Sequence, residues 1–487
     1  MLFPTLRFAL FFFIVFFLYW YVFRLKRQRV ILLIVASYFF YACWDWRFCI
    51  LLFGVTVLAA VFGALLGRQK NYVPRTLTLI TGTVLHIVLL GFFKYFYDIT
   101  VFLTYVLFDV QLNTPFLGTL QEYSLLLPVG ISYYTFRSLS YIFDIYLCKM
   151  RPVKSFADLM LYISFFPQLA SGPIVKAEAF FAALPESLER DSAENGSPVP
   201  YEQRAPIEFD RSILLIICGI YKKMILAHFL LILAADPVFA NPAQCNTIEL
   251  IIGLLSYTFV IYCDFSGYSD MAVGIALLLG FHTPHNFNRP YISQSVSEFW
   301  RRWHISFSSW LRDYVYFAFG GSRFGLFRTV LALIGTMLIA GLWHGGSLTF
   351  LLWGFLQGSA CAVERIVTVV KKHRKPTVMP FFRLAGVFLF INISWLVFRA
   401  ASVREVMQYV YSLKNIGLPF RTVHSFAFVP LTAAFLLQLP DEAFRRKSFD
   451  MYIRLPVPVK AAAVVCFFIG LNVISTSGIA PFIYFGF

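Results

Sequence analysis

His344 lies in Ala340-Gly-Leu-Trp-His-Gly-Gly-Ser347, a glycine-flanked turn between two strongly apolar stretches, Val330–Ile339 and Leu348–Ala362. An imidazole exchanges its proton near neutral pH, and ionisable groups within apolar spans are functional by default. His344 is therefore a candidate general base; on spacing alone, a core histidine satisfied at a helix break is the alternative. The other seven histidines narrow quickly. His86, His228, His373 and His424 stand alone, near loops or in apolar runs without polar company, and read as structural or interfacial. His282 and His285 are separated only by Thr-Pro, and no nearby Cys or carboxylate completes a zinc set of the usual spacing, so no metal is assigned. His304 sits in the aromatic, charged run Glu298-Phe-Trp-Arg-Arg-Trp-His-Ile-Ser-Phe-Ser-Ser-Trp-Leu-Arg-Asp313.

These residues need positioning elements. The run 298–313 is too charged to cross a bilayer and too aromatic to float free, so it reads as an interfacial amphipathic helix. Trp300, His304, Phe307, Ser308 and Leu311 then share one face, and Glu298 and Arg302, four apart, can pair. Asp264, Ser266 and Asp270 interrupt an apolar run where lipid penalises polarity, so they must face a cavity or a partner; they read as hydrogen-bonded scaffold for the site. Leu127-Pro-Val-Gly-Ile-Ser132 and Phe165-Phe-Pro-Gln-Leu-Ala-Ser-Gly-Pro173 place Pro and Gly inside hydrophobic sequence. Proline lacks an N–H and distorts a helix, and non-helical backbone at that depth must be buried in protein or line a water-filled space. Re-entrant segments are the natural reading.

Composition sets the solvent. The chain has 487 residues, 59% hydrophobic and 14% charged, with a mean hydropathy of +0.72. A water-soluble fold cannot hide that much apolar surface. The expected fold class is all-α: a polytopic integral membrane protein of roughly 10–13 helices by span length, with candidate spans recurring from Phe8–Phe23 to Val459–Val473. Stretches such as Leu51–Leu66 are continuously apolar, unlike the short alternating strands of a membrane β-barrel. The net charge of +16 is concentrated in short segments between apolar runs, which is the positive-inside pattern and not a nucleic-acid footprint. Arg24–Arg29, Arg68–Lys70 with Arg75, Lys371–Lys375 and Arg445–Lys447 read as cytoplasmic. A hairpin turning at Trp44-Asp-Trp-Arg47 joins the first two, and the N-terminus then lies outside. The basic cluster follows the first apolar segment instead of preceding it, so that segment reads as a retained anchor. The eight cysteines show no regular spacing and read as free core thiols. The chain is organised as one membrane domain, 1–487: N-terminal helices to about Met150, a central region 151–375 with a polar loop at Leu184–Arg211, and C-terminal helices with an extracytoplasmic tail from 376 to 487. No internal repeat is evident, which disfavours a transporter built on inverted repeats, although polar residues in broken helices keep that class open. A lipid-linked glycosyltransferase would call for acidic residues on an early extracytoplasmic loop, and Trp44-Asp-Trp46 alone is a weak candidate.

Trp303-His304 followed by Gly341-Leu-Trp-His344 resembles the membrane-bound O-acyltransferase family. Pro128-Val-Gly-Ile-Ser-Tyr-Tyr-Thr-Phe136, Phe166-Pro-Gln168 with Gly172-Pro-Ile174, Tyr262-Cys-Asp-Phe-Ser-Gly-Tyr-Ser-Asp270 and Asn286-Phe-Asn-Arg-Pro-Tyr291 are similar to the alginate O-acetylase branch. That branch includes peptidoglycan and cellulose O-acetylation proteins and, more distantly, the membrane protein of teichoic acid D-alanylation. The resemblance implies His344 as the catalytic residue with an earlier His or Asn as its partner. It also implies a two-component system in the bacterial cytoplasmic (inner) membrane. An acetyl group from a cytoplasmic thioester, acetyl-CoA or an acyl carrier, is delivered across the bilayer to an extracytoplasmic, esterase-like transferase that modifies a polysaccharide such as alginate or peptidoglycan. No tightly bound cofactor and no nucleic acid is expected; membrane lipid is. In that chemistry a base must deprotonate the attacking hydroxyl, and an imidazole with an ordinary pKa near 6.5 is suited to it. His304 would hold the other ring nitrogen of His344 or polarise the acyl carbonyl. Arg301, Arg302 and Arg312 would meet donor phosphates or else snorkel to lipid headgroups, with Trp300 and Trp303 beside them. Tyr484, in the closing Pro481-Phe-Ile-Tyr-Phe-Gly-Phe487, is similar to a C-terminal tyrosine thought to receive the acyl group in teichoic acid D-alanylation. A phenol, with a pKa near 10, is a sensible relay between a thiol and a sugar alcohol. An interfacial aromatic belt is the alternative for the same residues.

Overall fold

A computed structural model describes residues 3–108, 128–189, 208–370, 379–417 and 419–474. Tyr484, Leu127, most of the polar loop and the basic run 371–375 lie outside them. The described residues are helical and contain no strand. Contacts group the chain into two compact units, Met1–Phe209 with Ile275–Pro284, and Asp210–Gly274 with His285–Phe487.

In the first unit, α1 (Leu6–Phe17) runs into a π-helical turn, Leu18–Val22. A hairpin of α2 (Lys26–Ala42) and α3 (Arg47–Arg68) follows, turning at 43–46 as the sequence suggests. The two basic clusters therefore lie at the same end of the hairpin. Helix α4 (Tyr72–Phe108) and α5 (Ile131–Tyr146) are joined by Arg75, whose guanidinium donates to the carbonyls of Ile145 and Tyr146 at 2.7 and 2.9 Å. This closes the last turn of α5, where carbonyls lack helical partners. The Phe165–Pro173 motif is broken backbone: α6 (Phe156–Ser164) ends, α7 (Phe166–Leu169) makes a single turn, and the chain then continues without helix until α8 (Ala177–Glu189). All of 161–175 is buried, as irregular backbone in an apolar fold has to be. The freed amide of Phe166 donates to Ser37 Oγ at 3.1 Å.

The second unit is built on α9 (Phe209–Ala240), which carries π-helical turns at Tyr221–Ala227 and Leu231–Ala235, and on α10 (Thr247–Leu278), whose last turn belongs to the first unit. A Cβ on Gly219 would lie 2.5 Å from the Gly267 carbonyl oxygen, and one on Gly267 would lie 2.6 Å from that of Gly219. Only glycine on both helices lets their backbones touch. After α10 come the short α11 (Val296–Arg302) and α12 (Ile305–Trp310), then the hairpin of α13 (Leu326–His344) and α14 (Leu348–Val370), α15 (Pro380–Arg399), α16 (Val403–Ser412), α17 (Phe428–Leu436), α18 (Glu442–Ile453) and α19 (Val457–Ile474). Among the described residues seven helices are long and apolar enough to cross a membrane, and α18 with α19 forms an eighth candidate bent by 111°. Two shorter apolar helices, Leu6–Val22 and Ser425–Leu436, join them. The chain is a multi-pass membrane protein.

Four of the eight thiols expected in the core, Cys43, Cys148, Cys218 and Cys466, are exposed on the protein surface; Cys245, Cys263 and Cys361 are buried. An apolar outer surface is what a lipid-facing helix presents, so apolar sequence does not by itself mean a protein interior.

Candidate active site

The turn that carries His344 is made by close packing of α13 on α14. A Cβ on Gly341 would lie 2.3 Å from the Phe350 carbonyl oxygen, and one on Gly354 2.4 Å from that of Met337. With no side chain at either position the helices meet backbone to backbone, and His344, the last residue of α13, is held inside and 5% exposed. Aromatic rings wall it in: Trp343 at 4.6 Å between centroids, Phe398 at 4.8 Å edge-on, Trp353 at 5.2 Å edge-on and Phe350 at 6.0 Å. Such ring contacts each contribute about 0.5–1.5 kcal/mol beyond burial, so the imidazole plane is well fixed.

His304 lies against the same indole, its ring 6.2 Å from that of Trp343. It also lies edge-on to Phe265 of α10 at 4.6 Å and tilted on Phe307 at 5.0 Å. The single amphipathic helix expected over 298–313 is in fact broken here. α11 ends at Arg302, and His304 takes a left-handed backbone, φ 42° and ψ 54°, before α12 begins. That conformation costs a non-glycine residue about 1–3 kcal/mol and persists only where surroundings over-determine it. The over-determination comes from Asn286–Asn288. The Ile305 amide donates to the Asn286 carbonyl at 2.9 Å, the Ser306 amide to Asn286 Oδ1 at 3.2 Å, and the Asn288 amide to the Arg302 carbonyl at 2.9 Å. Asn286 Nδ2 in turn donates to Ser269 Oγ on α10 at 3.1 Å.

Among the described residues neither ring nitrogen of His304 has a hydrogen-bond partner, and the side chain is buried. Burial, which penalises the charged form, pushes its pKa down from 6.5 to about 3. His304 is therefore neutral at physiological pH, with one N–H available to donate and one lone pair to accept.

Two buried histidines on a turn and a strained hinge, facing one indole, suit transfer of a group that needs a base and a hydrogen-bond donor in a dry site. The membrane-bound O-acyltransferase profile matches residues 148–403, which include both. The chain belongs to the membrane-bound O-acyltransferase family. It is 36% identical over 397 residues to the probable alginate O-acetylase of Pseudomonas aeruginosa, covering 80% of this chain and 71% of that one. Against the probable alginate O-acetylase of Pseudomonas syringae it is 37% identical over 386 residues, 78% of this chain and 68% of the other. With the peptidoglycan O-acetyltransferase of Helicobacter pylori it shares 32% over 401 residues, 77% and 71% of the two chains. This is an O-acyltransferase of the alginate O-acetylase-like branch.

The other site residues read from the sequence of this acyltransferase fall into two sets. Trp300 donates from Nε1 to Gln357 Oε1 at 3.1 Å, and its ring stands 5.8 Å from Trp353, which walls His344. Trp303 is buried between Phe299 and Trp395, at 5.5 and 5.0 Å. Asp264 and Asp270 are both ion-paired to α9, Asp264 to Lys223 within a buried pair and Asp270 to Lys222 at 2.6 Å. Asp264 immediately precedes Phe265, the residue against His304. Ser266 is buried, and its Oγ has no hydrogen-bond partner among the described residues. Arg302 pairs with Glu298 at 2.9 Å as the spacing indicates, whereas Arg301 is exposed and Arg312 is 62% exposed and paired to its neighbour Asp313. His285 lies 3.4 Å from Arg211, and His282 lies 3.7 Å from Glu208.

Lys222 and Lys223, Gln357 and the rings of Trp353, Trp395 and Phe398 are not among the residues singled out from the sequence, and Asn286 is named there only within the Asn286–Tyr291 motif. Two lysines inside the apolar span 209–240 are a legible signal, because buried cations demand partners. Gln357 hands the Trp300 hydrogen bond on to Ser394 Oγ at 2.8 Å, a link that no spacing rule connects.

The clamp yields a first expected result. Asn286→Ala leaves the buried amide of Ser306 without its acceptor and removes the tether to Ser269, destabilising the protein by about 1–3 kcal/mol. Acyl transfer falls by more than the loss of folded protein explains, because the His304 hinge relaxes. Thermal unfolding and transfer rate measured on the same detergent-purified sample check this; a rate that simply tracks the folded fraction would remove the clamp from the site.

Proposed function

We propose that this O-acyltransferase takes an acetyl group from a cytoplasmic thioester donor and passes it across the inner membrane to an extracytoplasmic transferase, which O-acetylates a polysaccharide of the alginate or peptidoglycan kind. The observation that carries the reading is the buried His304–Trp343–His344 arrangement. His344 accepts the proton of an attacking hydroxyl as its oxygen bonds to the thioester carbonyl carbon. The carbon–sulfur bond then breaks, and the thiolate leaves with the proton from His344. Neutral His304 donates its N–H to the acyl oxygen, where negative charge develops, as a preformed dipole in a water-poor site. Acetyl as the group carried rests on the relatives, an alginate O-acetylase and a peptidoglycan O-acetyltransferase.

Orientation follows from the basic loops: with Arg24–Arg29, Arg68–Lys70 and Arg445–Lys447 inside, the N-terminus and the Tyr484 tail are extracytoplasmic. Tyr484 would then stand on the delivery face as an acyl relay to the partner protein. Deleting the chain and measuring ester-linked acetate on each extracytoplasmic polymer tests the function; unchanged acetate on all of them would sink it. In the same assay Tyr484→Phe keeps the ring and removes the nucleophile. Loss of polymer acetate with normal membrane insertion is the relay's expected outcome, whereas full acetate leaves the residue to an interfacial belt.

A further inference from the structure

Asn288 is the meeting point of charges that the histidine chemistry does not use. Arg302 Nη1 donates to its carbonyl at 3.2 Å, and Arg445 Nη2, from α18, donates to its side-chain oxygen at 2.9 Å. Next to it Arg289 adopts a left-handed backbone, φ 48° and ψ 62°, and sends Nη1 to the Leu439 carbonyl at 3.0 Å. Its Nε is buried without a hydrogen-bond partner among the described residues. Two guanidiniums of the second unit therefore meet on Asn288, and that of Arg289, the next residue, lies within electrostatic range of both.

The field is positive on balance. The neighbouring carboxylates are already engaged: Glu298 with Arg302, Asp270 with Lys222, and Asp441, whose Oδ1 caps α18 by accepting from the Phe444 amide at 2.7 Å. Arg211 and Arg301 add further cations to the neighbourhood, Arg211 beside His285 and Arg301 next to Arg302. Arg289 is lowered from its ordinary pKa by burial and then by Arg445 and Arg302. His285 is lowered by burial too and, against the pull of Asp270, by Arg211, Lys222 and Arg445. Like charges held together at the expense of strained backbone call for an anion that the protein does not itself supply. Arginine forks match phosphate oxygens in geometry as well as charge.

We propose that Arg289, Arg302 and Arg445 form a phosphate-binding cluster around Asn288 that holds the phosphate groups of the thioester donor. The inference rests on the thioester reading above and names the site for the donor's charged end. Arg445 belongs to a basic segment read as cytoplasmic, the side from which such a donor arrives. The cluster is joined to the catalytic hinge by backbone: Asn288 donates to Arg302, and Asn286, two residues earlier, accepts from Ile305 on the far side of His304. A donor anchored at Asn288 is thus registered against His304. Arg301 and Arg312, suggested for this role by the sequence, are replaced by Arg289 and Arg445 beside Arg302.

The test is binding of coenzyme A and of inorganic pyrophosphate to the full chain in neutral-lipid nanodiscs, followed by calorimetry, with Arg289→Gln, Arg445→Gln and the exposed Arg328→Gln as a control. Both probes bind the wild type and compete with each other. Arg289→Gln and Arg445→Gln each weaken both by tenfold or more, losses that shrink as salt rises, while Arg328→Gln changes neither. Arg289→Lys, which keeps the charge but not the fork, falls in between and guards against simple misfolding, as do matched melting temperatures. Equal affinity in all variants, or no binding of either probe by a wild type that still transfers acetyl from a thioester, overturns the cluster and leaves the function standing. Failure of the wild type to use any thioester sinks the function itself. If phosphatidylglycerol nanodiscs, and not pyrophosphate, respond to the arginine variants, the cluster is a lipid contact and the proposal is wrong.

Discussion

His344→Ala abolishes acyl transfer while the protein still inserts and folds. A positioned base contributes about 10²–10⁴ in rate, and none of the four rings that wall His344, those of Trp343, Phe350, Trp353 and Phe398, can take over proton acceptance. Those rings are hydrogen-bond donors at most, since an indole N–H donates and a phenyl ring does neither. The backbone turn does not depend on the imidazole: it is set by Gly341 and Gly354, where any Cβ would strike a carbonyl of the facing helix. Truncation therefore leaves a hole in an intact hairpin and lowers the melting temperature without undoing the fold. His344→Gln, which refills much of the volume and can hydrogen-bond but cannot take up a proton near neutral pH, is equally inactive. The measurement is single-turnover release of thiol from a thioester donor by purified protein, alongside protease accessibility of the loops for topology. Transfer at the wild-type rate in either variant would remove His344 from the chemistry.

Much of this architecture could be read in the residues, and the exceptions have physical causes. The α2–α3 hairpin was legible because long apolar runs and clustered Arg and Lys report directly on solvent, which acts residue by residue. The Glu298–Arg302 pair was legible because i and i+4 are neighbours on any helix. The face shared by Trp300, His304 and Leu311 was not real, because spacing arguments assume unbroken helix, and the break at His304 is imposed by Asn286, eighteen positions earlier in the chain. Nothing local to 298–313 requires a left-handed residue: histidine enters that region more often than most side chains, but only in a small minority of cases. Asp264 and Asp270 were recognisable as out of place in apolar sequence, yet their partners Lys222 and Lys223 lie on another helix. Two consecutive lysines point toward one neighbour through a π-helical turn, Tyr221–Ala227, and such a turn departs from the 3.6-residue period on which sequence reading relies. The site's chemistry was thus visible in residue types, while its geometry depends on contacts between distant segments.

His304→Ala reduces transfer severely, by about 10²–10³ as for loss of one oxyanion donor, and His304→Asn does so by much less. The difference tests which state of the ring works. Held at a pKa near 3 by burial, His304 is uncharged throughout the range in which the enzyme operates, so its contribution is a hydrogen bond and not a proton. Asparagine can supply that N–H and tolerates left-handed backbone better than most residues, so it satisfies both the chemistry and the strained φ of 42°. Alanine supplies neither. The same burial has a consequence for acid stability. In the unfolded chain this histidine takes up a proton below about pH 6.5, whereas in the folded protein it does not until about pH 3. Between those values the unfolded state binds more protons, so this residue's contribution to stability falls as pH falls, and is intact only above about pH 6.5. His304→Asn removes that titration and should flatten the fall in melting temperature between pH 6.5 and 5 relative to wild type. Transfer rates of the two variants at pH 7, together with the melting curves, decide the matter. If Asn and Ala are equally inactive and the acid slope is unchanged, His304 carries a proton of its own and the roles of the two histidines must be exchanged.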